Sequence, residues 1–467
     1  MNESESSKAP GPPRTRGMRE VRAEGSPLNR QVLLPAERFI YSETISGALL
    51  LVCAIAALVW ANSPWSQTYF ALRDTPVSLQ IGAFSLALDL QHWINDGLMA
   101  VFFFVVALEI KRELIYGDLS DARKAALPVA AALGGMILPA GIYFAVNFGG
   151  AGAASWGIPM ATDIAFAVAI LALLGERVPL SLRLFLLTFA IADDVGSILV
   201  IAIYYTAHFS LPAMGVAVAV LGLMFLMRWL GFRSTLAYLL PAVLFWAAIF
   251  KSGVHATVAG VILGAITPAK SLGRKSTFVK TVREILPEVR DSLDKEKSER
   301  DEVMLGRIEE LARQTESPLE RLERKVHPWT SYLVLPVFAL VNAGVAFSGE
   351  FVRQALASAA TWGVMAGLLA GKVVGVTGFS WLAVRLGWAA LPGGVAWRHI
   401  VGAGFIGGVG FTVSLFIAGL AFTDKVLVEE AKAGVLVASL IAGLAGYLFL
   451  LAVSREQKQS EQRGGGA

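Results

Sequence analysis

Apolar runs about twenty residues long, nearly free of charge and repeated along the chain, decide the solvent in which this protein folds. A bilayer core about 30 Å thick needs roughly 20 apolar residues per helix, and such runs begin near Tyr41 and recur to about Val453. A water-soluble chain of this size cannot hide that much apolar surface. Hydrophobic residues make up 55% of the sequence and charged residues only 16%, against about 25% charged in an average soluble domain. The expected fold class is therefore an all-α polytopic membrane protein. Twelve candidate spans are read, near 42–62, 93–114, 125–148, 156–175, 183–206, 212–230, 235–250, 253–268, 329–347, 358–386, 398–421 and 428–453.

Lysine and arginine orient these spans. With a cytoplasmic N-terminus, the outer loops and span ends hold only Arg73, Lys251, Arg353, Lys425 and Lys432 of the 40 Lys and Arg. Lys372 falls mid-span, and the rest lie on the inner side. That bias meets the positive-inside rule, so both termini are expected in the cytoplasm. The same placement argues against the nucleic-acid partner that a net charge of +4 invites, because the basic residues follow the loops. The single cysteine, Cys53, excludes an intramolecular disulfide.

The soluble parts are few. Residues 1–37 are rich in Ser, Pro, Gly and Arg and read as a disordered cytoplasmic tail. The first apolar run starts too far in, and is too long, for a cleaved signal peptide. Spans 1–8 then occupy 38–269, a charged cytoplasmic segment 270–327, spans 9–12 328–453, and a second cytoplasmic tail 454–467. Between the first two spans, Val77, Leu79 and Ile81 alternate, Gly82-Ala83 intervenes, and Phe84, Leu86 and Leu88 alternate again. This is the pattern of a small β-hairpin in the first external loop, with an irregular loop as the plainer reading. In the charged segment, Phe278, Val282, Ile285 and Val289 recur at helical spacing. Ser317-Pro318-Leu319-Glu320 supplies an N-cap, a proline at the first helical position and a capping box. Two short amphipathic helices are expected there, in a segment that is either regulatory or a solvated insertion.

The informative residues are charges where none should be. Asp163 lies in the fourth span, Asp193 and Asp194 in the middle of the fifth, and Lys372 in the tenth. Each costs about 2.5–3.5 kcal/mol on insertion scales. Four together cost roughly 10 kcal/mol, comparable with the net stability of many domains. Such residues are functional candidates by default. A single Asp–Lys pair would be explained as a salt bridge joining helices, but three carboxylates facing one lysine leave an excess of negative charge that calls for a cation. The donors at hand are Asp163, Asp193, Asp194 and the hydroxyl of Thr162, hard oxygen ligands suited to hard ions, with no His/Cys cluster for a transition metal. Adjacent helical residues point about 100° apart, so Asp193 and Asp194 need not share a role: one can face the ion while the other faces Lys372. A buried carboxylate can hold a proton or a metal ion near neutral pH but not both, and that competition is sufficient for exchange.

Two spans carry helix breakers. The fourth reads Trp156-Gly157-Ile158-Pro159-Met160-Ala161-Thr162-Asp163, and the eleventh has five glycines between Gly402 and Gly410. Proline removes a backbone donor, and glycine makes a continuous helix expensive. Irregular backbone survives at membrane depth only where protein or a water-filled cavity surrounds it. Interrupted spans in corresponding positions of two halves point to a transport site. Spans 3–5 and 10–12 would be two inverted units whose interrupted helices cross at the midplane, with Asp163 balancing positive helix ends and Lys372 negative ones. Close helix packing is the competing explanation of a glycine-rich span.

These residues resemble a known family. Ile94-Asn95-Asp96-Gly97-Leu98-Met99-Ala100, Leu108-Glu109-Ile110-Lys111-Arg112-Glu113, Ala161-Thr162-Asp163-Ile164-Ala165-Phe166-Ala167, Ile191-Ala192-Asp193-Asp194 and Gly410-Phe411-Thr412 are similar to the motifs of NhaA-type sodium/proton antiporters, over about 38–453. The resemblance implies a secondary transporter of the bacterial cytoplasmic (inner) membrane, not an enzyme, with no cofactor beyond its transported ions. It implies electrogenic, pH-regulated exchange by alternating access, with two protons entering for each Na⁺ or Li⁺ expelled. Asp193 and Asp194 would carry cation and protons, Asp163 and Thr162 would sit at the helix crossing, and Lys372 would pair with Asp193. The pH-sensing positions would be Glu109, Arg112 and Glu113 with Glu323 and His327, and His255 matches a further family histidine. A charged cluster at a membrane end also serves as a plain topological anchor. Two departures stand out: Arg324 occupies a position often histidine, and 276–316 is longer than the usual loop. The 77–88 hairpin resembles the one that joins family members into homodimers by sheet extension.

Three other functions fit the residues less well. A proton-coupled organic-anion carrier fits poorly with three aspartates and one lysine. An intramembrane aspartyl protease would want a Gly-x-Gly-Asp pattern, which is missing, and a cation channel would want a repeated pore ring.

Overall fold

The computed structural model describes residues 34–81, 84–205, 209–232, 234–270 and 316–464. The tail before Leu34, the Gly82-Ala83 turn and the expected helix around 278–289 lie outside the described residues. The chain opens with α1 (Leu34–Ala61) and α2 (Ser66–Arg73), then strands β1 (Pro76–Ile81) and β2 (Phe84–Asp89). The strands pair antiparallel, from Pro76 opposite Asp89 to Ile81 opposite Phe84, where the alternating pattern indicated them. A π turn (Trp93–Leu98) leads into α3 (Met99–Tyr116), followed by α4 (Ala122–Val146), a 3₁₀ turn (Ile158–Met160), α5 (Ile164–Leu174) and α6 (Leu180–Tyr204). Then come α7 (Leu211–Trp229), α8 (Thr235–Lys251) and α9 (Ala256–Ile266). Beyond the charged segment stand α10 (Pro318–Trp329), a π turn (Thr330–Val334), α11 (Leu335–Asn342), α12 (Gly349–Ala357) and α13 (Ala359–Ala366). A third π turn (Gly367–Gly371) continues into α14 (Lys372–Arg385), and α15 (Trp397–Gly407), α16 (Phe411–Ala421) and α17 (Lys425–Gly464) complete the fold.

Helix occupies part of every expected span. Among the described residues, seven helices are long and apolar enough to cross a membrane, or eight if α15 and α16, bent by 46° at their break, count as one. The shortfall from twelve has local causes. α3 carries Glu109, Lys111, Arg112 and Glu113, while α8 has 17 residues, α9 has 11 and α11 has 8. The ends also differ from expectation. α1 starts at Leu34 rather than 38, with Pro35 in its first turn, where a missing N–H costs nothing. α17 continues to Gly464 rather than 453, because the polar residues after Val453 are mostly good helix formers with no proline or glycine until the end. The Ser317–Glu320 capping box is present at the start of α10: Ser317 Oγ accepts from the Glu320 N–H at 3.2 Å, and the Glu320 carboxylate accepts from the Ser317 N–H at 3.0 Å.

One packing seam positions everything that follows. α14 packs against α4 and α15, and α4 packs in turn on α6. Gly367, Gly371 and Gly375 recur every fourth residue and so share a helix face. A Cβ at Gly371 would meet the backbone of Pro139, and one at Gly375 the carbonyl of Gly134, while one at Gly134 would meet the carbonyl of Gly375. Small residues let backbones approach this closely where lipid removes the hydrophobic drive for association. Lys372 lies on the same helix, one residue beyond Gly371, so the seam sets its depth and heading. Gly375→Val is expected to destabilise the fold by at least about 1–3 kcal/mol through overpacking, read as a lower thermal midpoint of the detergent-purified protein. An unchanged midpoint would show that the seam can open.

Candidate functional site

Pro159 cannot donate a backbone hydrogen bond, and the chain at 161–163 turns extended, with Ala161 at φ −80°, ψ 149° and Asp163 at φ −85°, ψ 106°. α5 therefore begins inside the protein with its first N–H groups lacking helical partners, and α16 begins the same way after Gly408–Gly410. The two breaks meet. The Asp163 N–H donates to the Val409 carbonyl at 2.7 Å, and the Thr162 hydroxyl donates to the Gly407 carbonyl at 2.9 Å. The Asp163 carboxylate then serves both helix starts. Its Oδ1 accepts from the Phe166 N–H at 3.0 Å, and its Oδ2 accepts from the Thr412 N–H at 3.0 Å and the Thr412 hydroxyl at 2.5 Å. One carboxyl group thus caps two N-termini, where N–H groups lack partners and the helix dipole favours negative charge.

The cation of the site lies at the opposite pole of the same break. Lys372 is fully buried. Its ammonium donates to Asp193 Oδ2 at 2.7 Å, to the Thr162 hydroxyl at 3.0 Å and to the Met160 carbonyl, the last residue of the 3₁₀ turn. All three of its N–H bonds are used, and the Phe189 ring centroid lies 5.8 Å away. Asp193 and Asp194 diverge as adjacent helical residues must. Asp193 faces Lys372, whereas Asp194 lines a cavity of about 40 Å³ with Asp163, Thr412, Glu109, His327 and Thr330. That volume exceeds the roughly 10–15 Å³ a single water requires. Asp193 Oδ1 and Asp194 Oδ1 are buried without a hydrogen-bond partner. Among the described residues no three His, Cys, Asp or Glu side chains gather closely enough to hold a metal ion. A cation here would complete its shell with hydroxyls, carbonyls or water.

The remaining sequence-flagged residues divide into two groups. The Glu109 carboxylate and His327 Nε2 lie 3.4 Å apart within the wall of that cavity, an ion pair when the histidine is protonated. Arg112 pairs with Glu323 of α10, whose carboxyl is pushed up by burial against the opposing pull of Arg112 and His327. Glu113 accepts from the Asp118 N–H at 2.7 Å, at the end of α3. Arg324 points away and pairs with Glu316 at 2.8 Å. His255 is not part of this cluster. It precedes α9 and contacts the Tyr205 carbonyl, while the other end of α9 receives Lys111 through the Ala265 and Thr267 carbonyls. An 11-residue helix, about 16 Å long, separates the two. Thr412 and the Met160 carbonyl join the site beyond the residues that the sequence marks. Thr412 stood in the recognised Gly410-Phe411-Thr412 stretch, but nothing local marks a carbonyl as a lysine acceptor.

Fold and site together define a class: a multi-pass membrane protein whose ionisable core is built where two interrupted helices cross. A profile of the Na⁺/H⁺ antiporter 1 family matches residues 37–450, and the chain belongs to that family. Among its relatives is the Na⁺/H⁺ antiporter NhaA of Oleidesulfovibrio alaskensis, 46% identical over 437 residues, covering 93% of this chain and 97% of the relative. The protein of the same name from Rhodopirellula baltica is 46% identical over 425 residues, covering 91% and 95%. That of Syntrophobacter fumaroxidans is 44% identical over 427 residues, covering 90% of each.

The Lys372–Asp193 pair has a measurable consequence. Removing one partner of a buried pair leaves an uncompensated charge and typically costs about 3–5 kcal/mol. Lys372→Ala is expected to lower the thermal midpoint strongly, and adding Asp193→Asn to recover much of the loss. Additive losses in the double variant would show that the two side chains are not coupled.

Proposed function

We propose that this protein exchanges Na⁺ or Li⁺ for protons across a bacterial inner membrane, expelling one cation for about two protons by alternating access. The observation that carries this reading is the charge balance of the crossing. Three buried carboxylates stand at the crossing against one buried lysine: Asp193 pairs with it, Asp163 caps the two helix starts, and Asp194 lies on a cavity with its Oδ1 unpartnered. A cation drawn to Asp194 competes there with a proton, and reaches Asp193 only by displacing Lys372. Replacing one monovalent cation by two protons moves net charge, so the exchange is electrogenic. The hard oxygen donors support an alkali cation over a transition metal, and the relatives' shared name, Na⁺/H⁺ antiporter, points the same way.

The finer architecture belongs to the same proposal. The chain spans the membrane twelve times with both termini in the cytoplasm. Spans 3–5 and 10–12 act as inverted units, and α5 and α16 are the working halves of their middle members. Regulation by pH runs through Glu109, Arg112, Glu113, Glu323 and His327, with His255 acting from the other face. The β1–β2 hairpin joins two copies by sheet extension. An organic-anion substrate is disfavoured by the excess of carboxylates.

The test uses purified protein in liposomes acidified inside, with a trapped pH dye, to which Na⁺, Li⁺, K⁺ and choline are added in turn. Proton efflux triggered by Na⁺ or Li⁺ but not choline, and altered by an imposed voltage, is expected. Asp194→Asn should abolish it while leaving the protein folded in the membrane. No response of the unmodified protein at any pH from about 6 to 9, around the range where histidine titrates, would move the organic-anion reading to the front, and normal turnover in Asp194→Asn would remove that residue as carrier.

A further inference from the structure

Three buried oxygen atoms without hydrogen-bond partners fall on consecutive turns of α6: Asp193 Oδ1, Asp194 Oδ1 and Ser197 Oγ. Ser197 is 1% exposed, and the charge balance described above does not involve it. Its place on the helix is specific. Taking Asp193 as the origin, Asp194 lies at about 100° around the axis and Ser197 at about 40°, between the two aspartates and one turn further along. Helical side chains lean back toward the N-terminus, so a residue covers the turn before its own Cα. The Ser197 side chain therefore leans over the turn that holds the aspartates.

A serine hydroxyl buried in a helix ordinarily finds an acceptor, often the carbonyl four residues earlier, as Thr188 does with Leu184 at 3.0 Å. Ser197 makes no such bond. Its position along the helix also matters. The cavity wall holds Asp194 together with Glu109 and His327 but not Ser197, and Glu109 stands two residues before Lys111, which caps one end of α9. Ser197 lies on the other side of Asp194, toward Tyr205, which meets the His255 end of α9. A neutral hydroxyl can offer a lone pair to a cation and, when the cation is gone, donate its proton to a carboxylate.

We propose that Ser197 is a specificity-determining oxygen ligand for the transported monovalent cation, met as the ion leaves the Asp193–Asp194 turn on the side away from the Glu109–His327 cavity. This rests on the exchange reading given above. Ser197 adds no charge, so it bears on which alkali ion is preferred and how tightly it is held, and leaves the number of charges moved unchanged.

The test compares Na⁺ and Li⁺ titrations of proton efflux at one fixed pH, in proteoliposomes of the unmodified protein and of Ser197→Ala, Ser197→Cys and Ser197→Thr. Ser197→Ala removes the ligand, and Ser197→Cys replaces hard oxygen with soft sulfur in a similar volume. In both, the half-saturating Na⁺ concentration is expected to rise about tenfold, the cost of one charge-assisted contact, with a changed Na⁺-to-Li⁺ ratio and a retained maximal rate. Ser197→Thr, which keeps the hydroxyl, should stay close to the unmodified protein. A Na⁺-dependent rise in the thermal midpoint in detergent supplies a second readout, expected to weaken in the Ala and Cys variants even where transport is too slow to follow. Unchanged half-saturation and an unchanged ion ratio in Ser197→Ala and Ser197→Cys, beside normal exchange by the unmodified protein, would overturn the assignment of Ser197 alone. Absence of any Na⁺ or Li⁺ response in the unmodified protein would overturn the exchange reading and this assignment together.

Discussion

The structure depends on one carboxylate shared between two helix starts. In hydrocarbon, a helix that begins at mid-depth leaves several N–H groups without water to bind, each costing several kcal/mol. Two such starts would be prohibitive if they were dealt with separately. Asp163 accepts from Phe166 at the start of α5 and from Thr412 at the start of α16, so one side chain addresses both. The carboxylate would in turn be a costly isolated anion, and the N–H groups and helix dipoles are its compensation. The break and the charge stabilise each other, and neither is tolerable alone. Lys372 repeats this logic with reversed sign, since the carbonyl of Met160, left by the same interruption, accepts from its ammonium.

Much of this was legible in the sequence, for a reason particular to membranes. Asp163, Asp193, Asp194 and Lys372 stand out because a charge within an apolar run is expensive, and Pro159 and the glycines from Gly402 to Gly410 stand out because they break helices. Both signals are local. What the sequence withheld is relational. Neighbouring positions on a helix are equivalent until the partner is placed, so whether Asp193 or Asp194 faces Lys372 was readable only through family resemblance. The glycines at 367, 371 and 375 mark a close approach without naming Gly134 and Pro139 as its other side. A main-chain acceptor such as Met160 leaves no residue signature at all.

The cavity shows the same limit in another form. Glu109 and His327 are more than two hundred positions apart in the chain, on α3 and α10, and the resemblance alone grouped them. The structure places both in the wall that holds Asp163 and Asp194, with Leu319 of α10 packed against Leu108 of α3 beside them. Charges at this wall therefore share a weakly screened space with the buried aspartates, since water and salt reach such groups less than they reach surface groups. His255, flagged on the same grounds, lies at the far end of α9. Resemblance carried residue types to their positions, but proximity had to come from the fold.

The arrangement is also unequal in rigidity, which bears on how a cation could be handed on. Lys372 has all three donors engaged and sits on a helix held to α4 through contacts too close for any side chain larger than glycine. Asp163 is held by three hydrogen bonds from two helices. Asp194 has neither kind of restraint: its Oδ1 is unpartnered and it fronts open volume. A group can trade occupants only where it is not already fully satisfied, so the unequal engagement of these side chains gives an incoming ion a differential affinity to act on. The geometry separates the groups in this way, with Asp163 and Lys372 fully engaged at the crossing and Asp194 a helix position beyond Asp193 on the cavity wall.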